Sequence, residues 1–415
     1  MLTFILSIQQ TKLRMMQVTD IHYDLAYDAQ GSLKSYCRLK EDSQNIAKYG
    51  RYGCDTPLDL LTTMFDDAAQ QNAKEKFDIV FMLGDFGSHG VQLQQNQAIK
   101  TISDFISTNF PDSIKHAVLG NNDGNGNYNF SLEKNDQHLK EIYINGAMKQ
   151  LINNDKFLEF GYYSNDLDEH KIKLIGLNSI FYTTSMYKKN YPTIEIPDDP
   201  GNQFQFLIEQ LQDCRNKNYQ AIVTYHNCFG LNGFDGSVTA IDKFTIRHRE
   251  IVNQFKDIII FEQMGHYHHD DFRLTSKGRD THLVSYLLPS ISPSNHNNPA
   301  YRITELSLVD NKWVVSDYEQ RYIDLVEANT KQDLPQFEHQ YKFSELYEVF
   351  TGETQPNAKT HQKLNQKMKT DEKLYSVWTS QSNTMYRPSR AQYMCGLRSI
   401  DKVTYDTCVQ NFKYD

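Results

Sequence analysis

The sequence predicts an α/β fold, with buried strands between helices and a polar site at the strand ends. Short apolar or β-branched runs recur at residues 13–18, 77–83, 221–225 and 258–261, as expected of strands buried on both faces. Apolar residues at helical spacing fill the stretches after the first two runs. Each run then stops at a small cluster of Gly, Asp, Asn or His rather than at an ordinary polar loop.

Taken in order, residues 1–7 (MLTFILS) are apolar but short, with no basic stretch and no clear small-residue cleavage site. Residues 1–13 therefore read either as an atypical or truncated signal segment or as a first strand. The run at 13–18 is a strand followed by Asp20-Ile21-His22, where alternation would put Asp20 and His22 on one face and Ile21 in the core. A carboxylate beside an imidazole suits a borderline-soft divalent cation such as zinc, although Asp-x-His alone is mostly a surface pair. Residues 57–74 read as a helix, with Pro57 at its first position and an apolar face through Leu58, Leu61, Met64 and Phe65.

The strand at 77–83 leads into Gly84-Asp85-Phe86-Gly87-Ser88-His89. Asp85 stands where one carboxylate can bridge two cations, and His89 lies close enough to reach a substrate oxygen. A helix over 92–109 precedes a strand around 116–119 and the sequence Gly120-Asn121-Asn122-Asp123, whose amide can ligate a metal through its carbonyl oxygen. The run at 221–225 ends in His226, and that at 258–261 leads to Gly265-His266-Tyr267-His268-His269-Asp270. Each cluster alone is an ordinary turn or polar loop; four such strand ends before a His-x-His pair are hard to produce by accident.

Residues 301–309 and 312–317 read as a final hairpin turning at Asp310-Asn311. From about residue 334, Gln, Lys and Glu become more frequent and Phe343, Leu346, Tyr347 and Phe350 fall at helical spacing. A helical C-terminal subdomain over 334–415 is expected, either packed on the main domain (14–333) or forming a wall or lid of its cleft. Residues 351–360 are the linker candidate.

With 415 residues, 39% apolar and 12% aromatic, the chain can bury a large core, in one big domain with an appendage or in two. A formal charge of −9 argues against a nucleic-acid polymer as partner. No apolar run reaches the ~20 residues needed to span a bilayer, which leaves peripheral membrane contact open. Neither Cys37 with Cys54 nor Cys395 with Cys408 has zinc-finger spacing. Two disulfides in a secreted or lumenal protein fit, the first contributing about 3 kcal/mol through the unfolded chain; six reduced thiols in a cytosolic enzyme fit the count equally. Cys214 and Cys228 have no obvious partner, and Asn129-Phe130-Ser131 is a glycosylation sequon.

Asp20-x-His22, Gly84-Asp85, Gly120-Asn121, His226 and Gly265-His266-x-His268, in this order, resemble the calcineurin-like metallophosphoesterases. More narrowly, the chain resembles the acid sphingomyelinase-like phosphodiesterases, in the branch that lacks a saposin-like domain. The residues concerned are 20–24, the loop from Cys37 to Cys54 leading into Asp55-x-Pro57, residues 199–204, residues 289–293 with Asn297-Asn298-Pro299 and Arg302, and the segment from Cys395 to Cys408.

The resemblance implies an α/β/β/α sandwich with two divalent metal ions, taken as zinc. Asp20, His22, Asp85 and His268 would hold one ion, and Asp85, Asn121, His226 and His266 the other. A metal-bridging hydroxide would attack a phosphodiester, and His89 would protonate the leaving group. It further implies sphingomyelin-like phosphocholine lipids, or nucleotides and their conjugates, as substrates of a monomer that is secreted or lies in the lysosomal lumen. Asn122, the second catalytic candidate, departs from the histidine that most of the family carries; an amide can donate to a phosphoryl oxygen but cannot give up a proton. The related endopolyphosphatases share that asparagine but replace the histidine kept here in His266-x-His268. Cleavage of polyphosphate or phosphomonoesters is thus the second expectation, and a metal-loaded phosphate-binding protein of low turnover the third. His226-Asn227-Cys228 also departs from the prolines common after that histidine. His269, Asp270 and Asp271 are candidates to orient the imidazoles, or simply a solvated polar loop.

Overall fold

The computed structural model describes residues 11–40, 46–91, 94–233, 235–277, 280–331, 334–382, 389–397, 399 and 401–412. The proposed signal segment lies outside them except for its last residues, which enter the first strand. The strands are β1 Lys12–Val18, β2 Ile79–Met82, β3 Ile114–Ala117, β4 Tyr163–Leu167, β5 Ile172–Gly176, β6 Gln220–Thr224, β7 Ile259–Met264, β8 Asp271–Lys277, β9 Asp280–Leu287, β10 Ala300–Val309, β11 Lys312–Tyr322 and β12 Glu338–Lys342. They form two six-stranded sheets, ordered β12-β11-β10-β1-β2-β3 and β4-β5-β6-β7-β9-β8.

Both sheets are mixed, and the reason for the near-continuous apolar runs is that both faces of the central strands are covered. Leu13 and Met15 of β1 point between the sheets, with Ile79, Phe81, Leu174, Ile222 and Phe261. Met16 and Val18 point outward, against Leu61, Met64 and Phe65 of helix Leu58–Lys74 and Ile99, Ile102 and Ile106 of helix Gln95–Asn109. The second sheet is covered likewise by Phe204, Leu207 and Leu211 of helix Gln203–Lys217 and Phe244 and Ile251 of helix Asp242–Gln254. The result is the expected α/β/β/α sandwich.

Strands β1, β2 and β3 run parallel, as do β5, β6, β7 and β9. Parallel strands deliver their C-terminal ends to one rim, where open α/β sheets bind ligands. Asp20, Asp85, Asn121, His226 and His266 each follow such an end.

Several expectations change. Pro57 is the N-cap, in extended conformation, and the helix starts at Leu58; the predicted start of the next helix at residues 92–93 lies outside the described residues. The hairpin turns at Asp310 and Asn311, with φ of 49° and 61°, but is not final, because β12 pairs with β11 beyond it. Unforeseen were β4, β5, β8, β9 and β12, the last at the start of the region expected to be helical. Of the C-terminal helices, Phe343–Thr351, Ala358–Met368, Glu372–Gln381 and Arg390–Gly396 bury Tyr347, Leu364, Met368, Leu374, Trp378 and Tyr393 in the inter-sheet core. The linker candidate is a short interhelical loop, fastened where the Tyr286 hydroxyl donates to the Pro356 carbonyl. Disulfides join Cys37 to Cys54 and Cys395 to Cys408, while Cys214 and Cys228 are buried thiols whose pKa burial raises to about 12 and about 11. Among the described residues no helix is long and apolar enough to cross a membrane.

Two buried histidines make stability pH-dependent. His116, whose Nε2 is 2.7 Å from Thr224 Oγ1, and His361, on the buried face of helix Ala358–Met368, are pushed by burial from the ordinary 6.5 down to about 3 and about 4. The unfolded chain takes up these protons near pH 6.5 and the folded protein does not, so stability rises with pH across that window. The unfolding free energy is expected to fall as pH drops from 6.5 toward 4, by up to about 1.4 kcal/mol per pH unit for each ring, and the Tm with it. His361→Gln should flatten the slope; an unchanged slope would remove that histidine as a source.

Candidate metal centre

Where β1 ends, the chain leaves the sheet and coils: Asp20 and His22 have φ of 48° and 45°, so their common direction comes from left-handed backbone and not from strand alternation. Ile21 is buried as expected. Asp85, His266 and His268 have φ of 54°, 79° and 62°. Five non-glycine residues in this sparsely populated region at one place require surrounding structure that holds them there. Asp20 N–H donates to the Gly84 carbonyl at 3.1 Å, His22 N–H to the Asp85 carbonyl at 3.0 Å, and His266 N–H to Asp20 Oδ2 at 2.8 Å. Gly265 is needed for that approach, since a Cβ there would sit 2.0 Å from Thr19 Oγ1 and 2.5 Å from Asp20 Oδ2.

The side chains converge on Asp85. Its Oδ2 lies 3.3 Å from both His22 Nε2 and His226 Nε2. Asp20 Oδ1 lies 3.3 Å from His268 Nε2 and 3.7 Å from His226 Nε2, and the Nε2 atoms of His22 and His268 are 3.2 Å apart. Three groups each offer three ligand atoms within 4.8 Å of one another: Asp20 with His22 and His268, Asp85 with His226 and His266, and, to one side, His22 with Asp55 and His89. Asn121 is buried beside them, its Oδ1 3.5 Å from Asn227 Nδ2.

These donors fit a divalent cation. His22 Nδ1 donates to the Gly87 carbonyl at 3.1 Å and His226 Nδ1 to the Leu83 carbonyl at 2.6 Å, and a carbonyl can only accept, so Nε2 of each neutral ring carries the lone pair. Asp20 Oδ1 and His226 Nε2 are buried without a hydrogen-bond partner. Burial opposes charge on His226 and His22, yet Asp85 and Asp20 outweigh it and lift the rings to about 10 and about 9. The same negative field that draws protons would draw a metal ion in their place.

His89 stands beside this centre, its ring stacked on His22 at 4.0 Å between centroids, and is 31% exposed. Sequence reasoning missed the group beneath it. The buried Asp55 carboxylate accepts from His89 N–H and Nδ1, each at 2.8 Å, and burial, which pushes that carboxyl up, is outweighed by His89 and His22, which hold it below its ordinary range. Asp123 was also passed over as a turn residue. It accepts from the backbone N–H groups of Gly120, Asp85 and Phe86 at 2.7, 2.8 and 2.8 Å, tying two strand-end loops together. Its position three residues after Gly120, at the start of a short helical turn, was the signal available.

Asn122, the second catalytic candidate, is turned to Asp85: its N–H and Nδ2 both donate to that carboxylate, at 2.7 and 2.8 Å. One expectation needs correction. Asp270 and Asp271 are not a solvated polar loop: Asp270 is buried against Arg302 and Tyr341, and Asp271 against Arg273 and Tyr393, with its Oδ2 3.7 Å from His269 Nε2. His269 Nδ1 donates to the Tyr267 carbonyl at 2.7 Å.

The chain is 24% identical to Sphingomyelin phosphodiesterase A of Dictyostelium discoideum, over 95% of this chain and 67% of that protein. It is 25% identical to Sphingomyelinase phosphodiesterase C of the same organism, over 80% and 78%. Acid sphingomyelinase-like phosphodiesterase 3b of Mus musculus is 23% identical, over 95% and 90%. A profile of the family described as Calcineurin-like phosphoesterase matches residues 13–270, a span that takes in every strand end contributing to the centre, and the chain belongs to that family.

Proposed function

We propose that the protein is a phosphodiesterase with two zinc ions, one held by Asp20, His22, Asp85 and His268, the other by Asp85, Asn121, His226 and His266. The observation that carries this reading is Asp85 Oδ2, at 3.3 Å from one histidine of each set. Ions bound there supply Lewis acidity toward a phosphoryl oxygen and a nucleophile at neutral pH. The remaining work falls to His89. Asp55 fixes its Nδ1 as the protonated nitrogen and orients the ring, which leaves Nε2 to hand a proton to the departing oxygen. Phosphocholine lipids of the sphingomyelin type are the proposed substrates, supported by the names of the relatives, with nucleotides and their conjugates next. The proposed state is a monomer, and two disulfides support work outside the cell or in the lysosomal lumen. Asn129, half-exposed, would be the glycan acceptor there.

A second reading has one observation in its favour. With Asn122 committed to Asp85, a single acid remains, which suits leaving groups that need little protonation, such as the phosphate of polyphosphate. Purified protein assayed with sphingomyelin, CDP-choline, ATP and polyphosphate, with and without chelator, ranks the readings. Turnover of none of them by metal-replete protein would leave a phosphate-binding role instead. His89→Ala is expected to slow alkoxide leaving groups by ~10²–10⁴-fold and p-nitrophenolate far less. Equal slowing across such a series would take the proton-donor role away from His89.

A further inference from the structure

Large apolar side chains exposed on this protein are mostly scattered singly, as on any surface, but Leu33, Tyr36 and Leu39 fall within one short loop and are 52%, 38% and 62% exposed. The loop is not loose. Cys37 is bonded to Cys54, Cys37 N–H donates to the Ser32 carbonyl at 2.7 Å, and the Cys37 carbonyl accepts from Asp28 N–H at 2.7 Å. Arg38 Nε donates to Asp24 at 2.7 Å and its Nη2 to the His89 carbonyl at 2.6 Å. A rigid loop thus holds two leucines and a tyrosine in water, where burying them would be favourable.

Its charge is also unlike the rest of the chain. Residues 33–51 carry five basic and two acidic side chains in a protein of net charge −9. Arg38 is committed inward, and Lys34 and Lys40 are exposed, each directly following an exposed leucine. Leucines that can enter an acyl boundary beside lysines that stay among phosphates match a lipid interface with anionic headgroups. The loop also borders the metal centre, with the Tyr36 ring 6.3 Å from that of His89.

We infer that the loop carrying Leu33, Lys34, Leu39 and Lys40 docks the protein on an anionic lipid surface. Its consequence, presentation of headgroups to the rim beside His89, rests on the phosphodiesterase reading; the docking itself does not.

Flotation with phosphatidylcholine vesicles, with and without phosphatidylserine, tests the docking, and turnover of soluble bis(p-nitrophenyl) phosphate tests the catalytic reading separately. The wild-type protein is expected to float with the vesicles, more strongly when phosphatidylserine is present and more weakly in high salt. Leu33→Ser/Leu39→Ser should weaken partitioning by on the order of ten-fold or more. Lys34→Glu/Lys40→Glu should erase the preference for phosphatidylserine. Both pairs should keep the wild-type Tm and soluble-diester turnover. Wild-type protein that stays off both kinds of vesicle, or two double variants that float as well as wild type, would overturn the inference, including in favour of a protein partner. Leucine-dependent flotation without diester turnover would uphold docking and sink only the catalytic reading.

Discussion

An Asp85→Ala variant is expected to lose turnover by at least about 10⁴-fold, equivalent to ~5 kcal/mol of transition-state stabilisation, and to retain neither metal ion. The effect should exceed that of removing any histidine, because Asp85 Oδ2 is the atom close to both His22 and His226. Without it, Asp20 alone balances a crowded set of imidazoles, and the N–H and Nδ2 donors of Asn122 lose their acceptor. Asp85→Asn separates charge from shape: it keeps the volume, removes the negative charge and one of the two acceptors used by Asn122, and should also lose metal, with a lowered Tm in the presence of chelator. Elemental analysis of both variants beside a diester assay reads the outcome. A metal-replete, active Asp85→Ala protein would show that the two donor sets do not share a carboxylate.

Much of this centre was legible in sequence because the central strands are covered on both faces, so each reads as an apolar run with an abrupt polar end. The orientation of these side chains was not legible. Asp20, His22, Asp85, His266 and His268 adopt positive φ, the first four with backbone N–H groups held by other loops, and no local pattern announces a left-handed Asp or His. The missed hairpin strands have the opposite difficulty. β4 (YSNDL) mixes polar and apolar residues at a sheet edge and is mostly half-buried, while β8 (DFRLTSK), at the other edge, buries its polar Asp271 and Arg273 as a pair beside Phe272 and Leu274, so neither reads as an apolar run. Asp55 was visible as part of a motif but carried no role until His89, 34 residues away, was seen resting on it. Asp271 and Arg273 lie two residues apart on one strand, a pairing that alternation alone could have suggested.

Arg302→Ala is expected to cost about 3–5 kcal/mol of stability, the range for leaving one member of a buried ion pair uncompensated. Arg302 is 1% exposed, faces the Tyr318 ring at 4.2 Å, and pairs with Asp270, whose other oxygen accepts from Tyr341. Those partners come from β10, β11 and β12, so the pair staples the loop after His268 to the sheet that carries Asp20 and Asp85. Truncation strands a carboxylate among aromatic rings and loosens that loop, and metal affinity should fall by ~10–100-fold in step. Urea unfolding with an unchanged m-value measures the first effect and metal titration the second. Arg302→Met with Asp270→Leu, which removes both charges, should recover most of the stability because the cost lies in the unpaired ion. A loss below about 1 kcal/mol in the single variant, or no recovery in the double, would mean that the C-terminal strands hold the metal loop by packing and not by this ion pair.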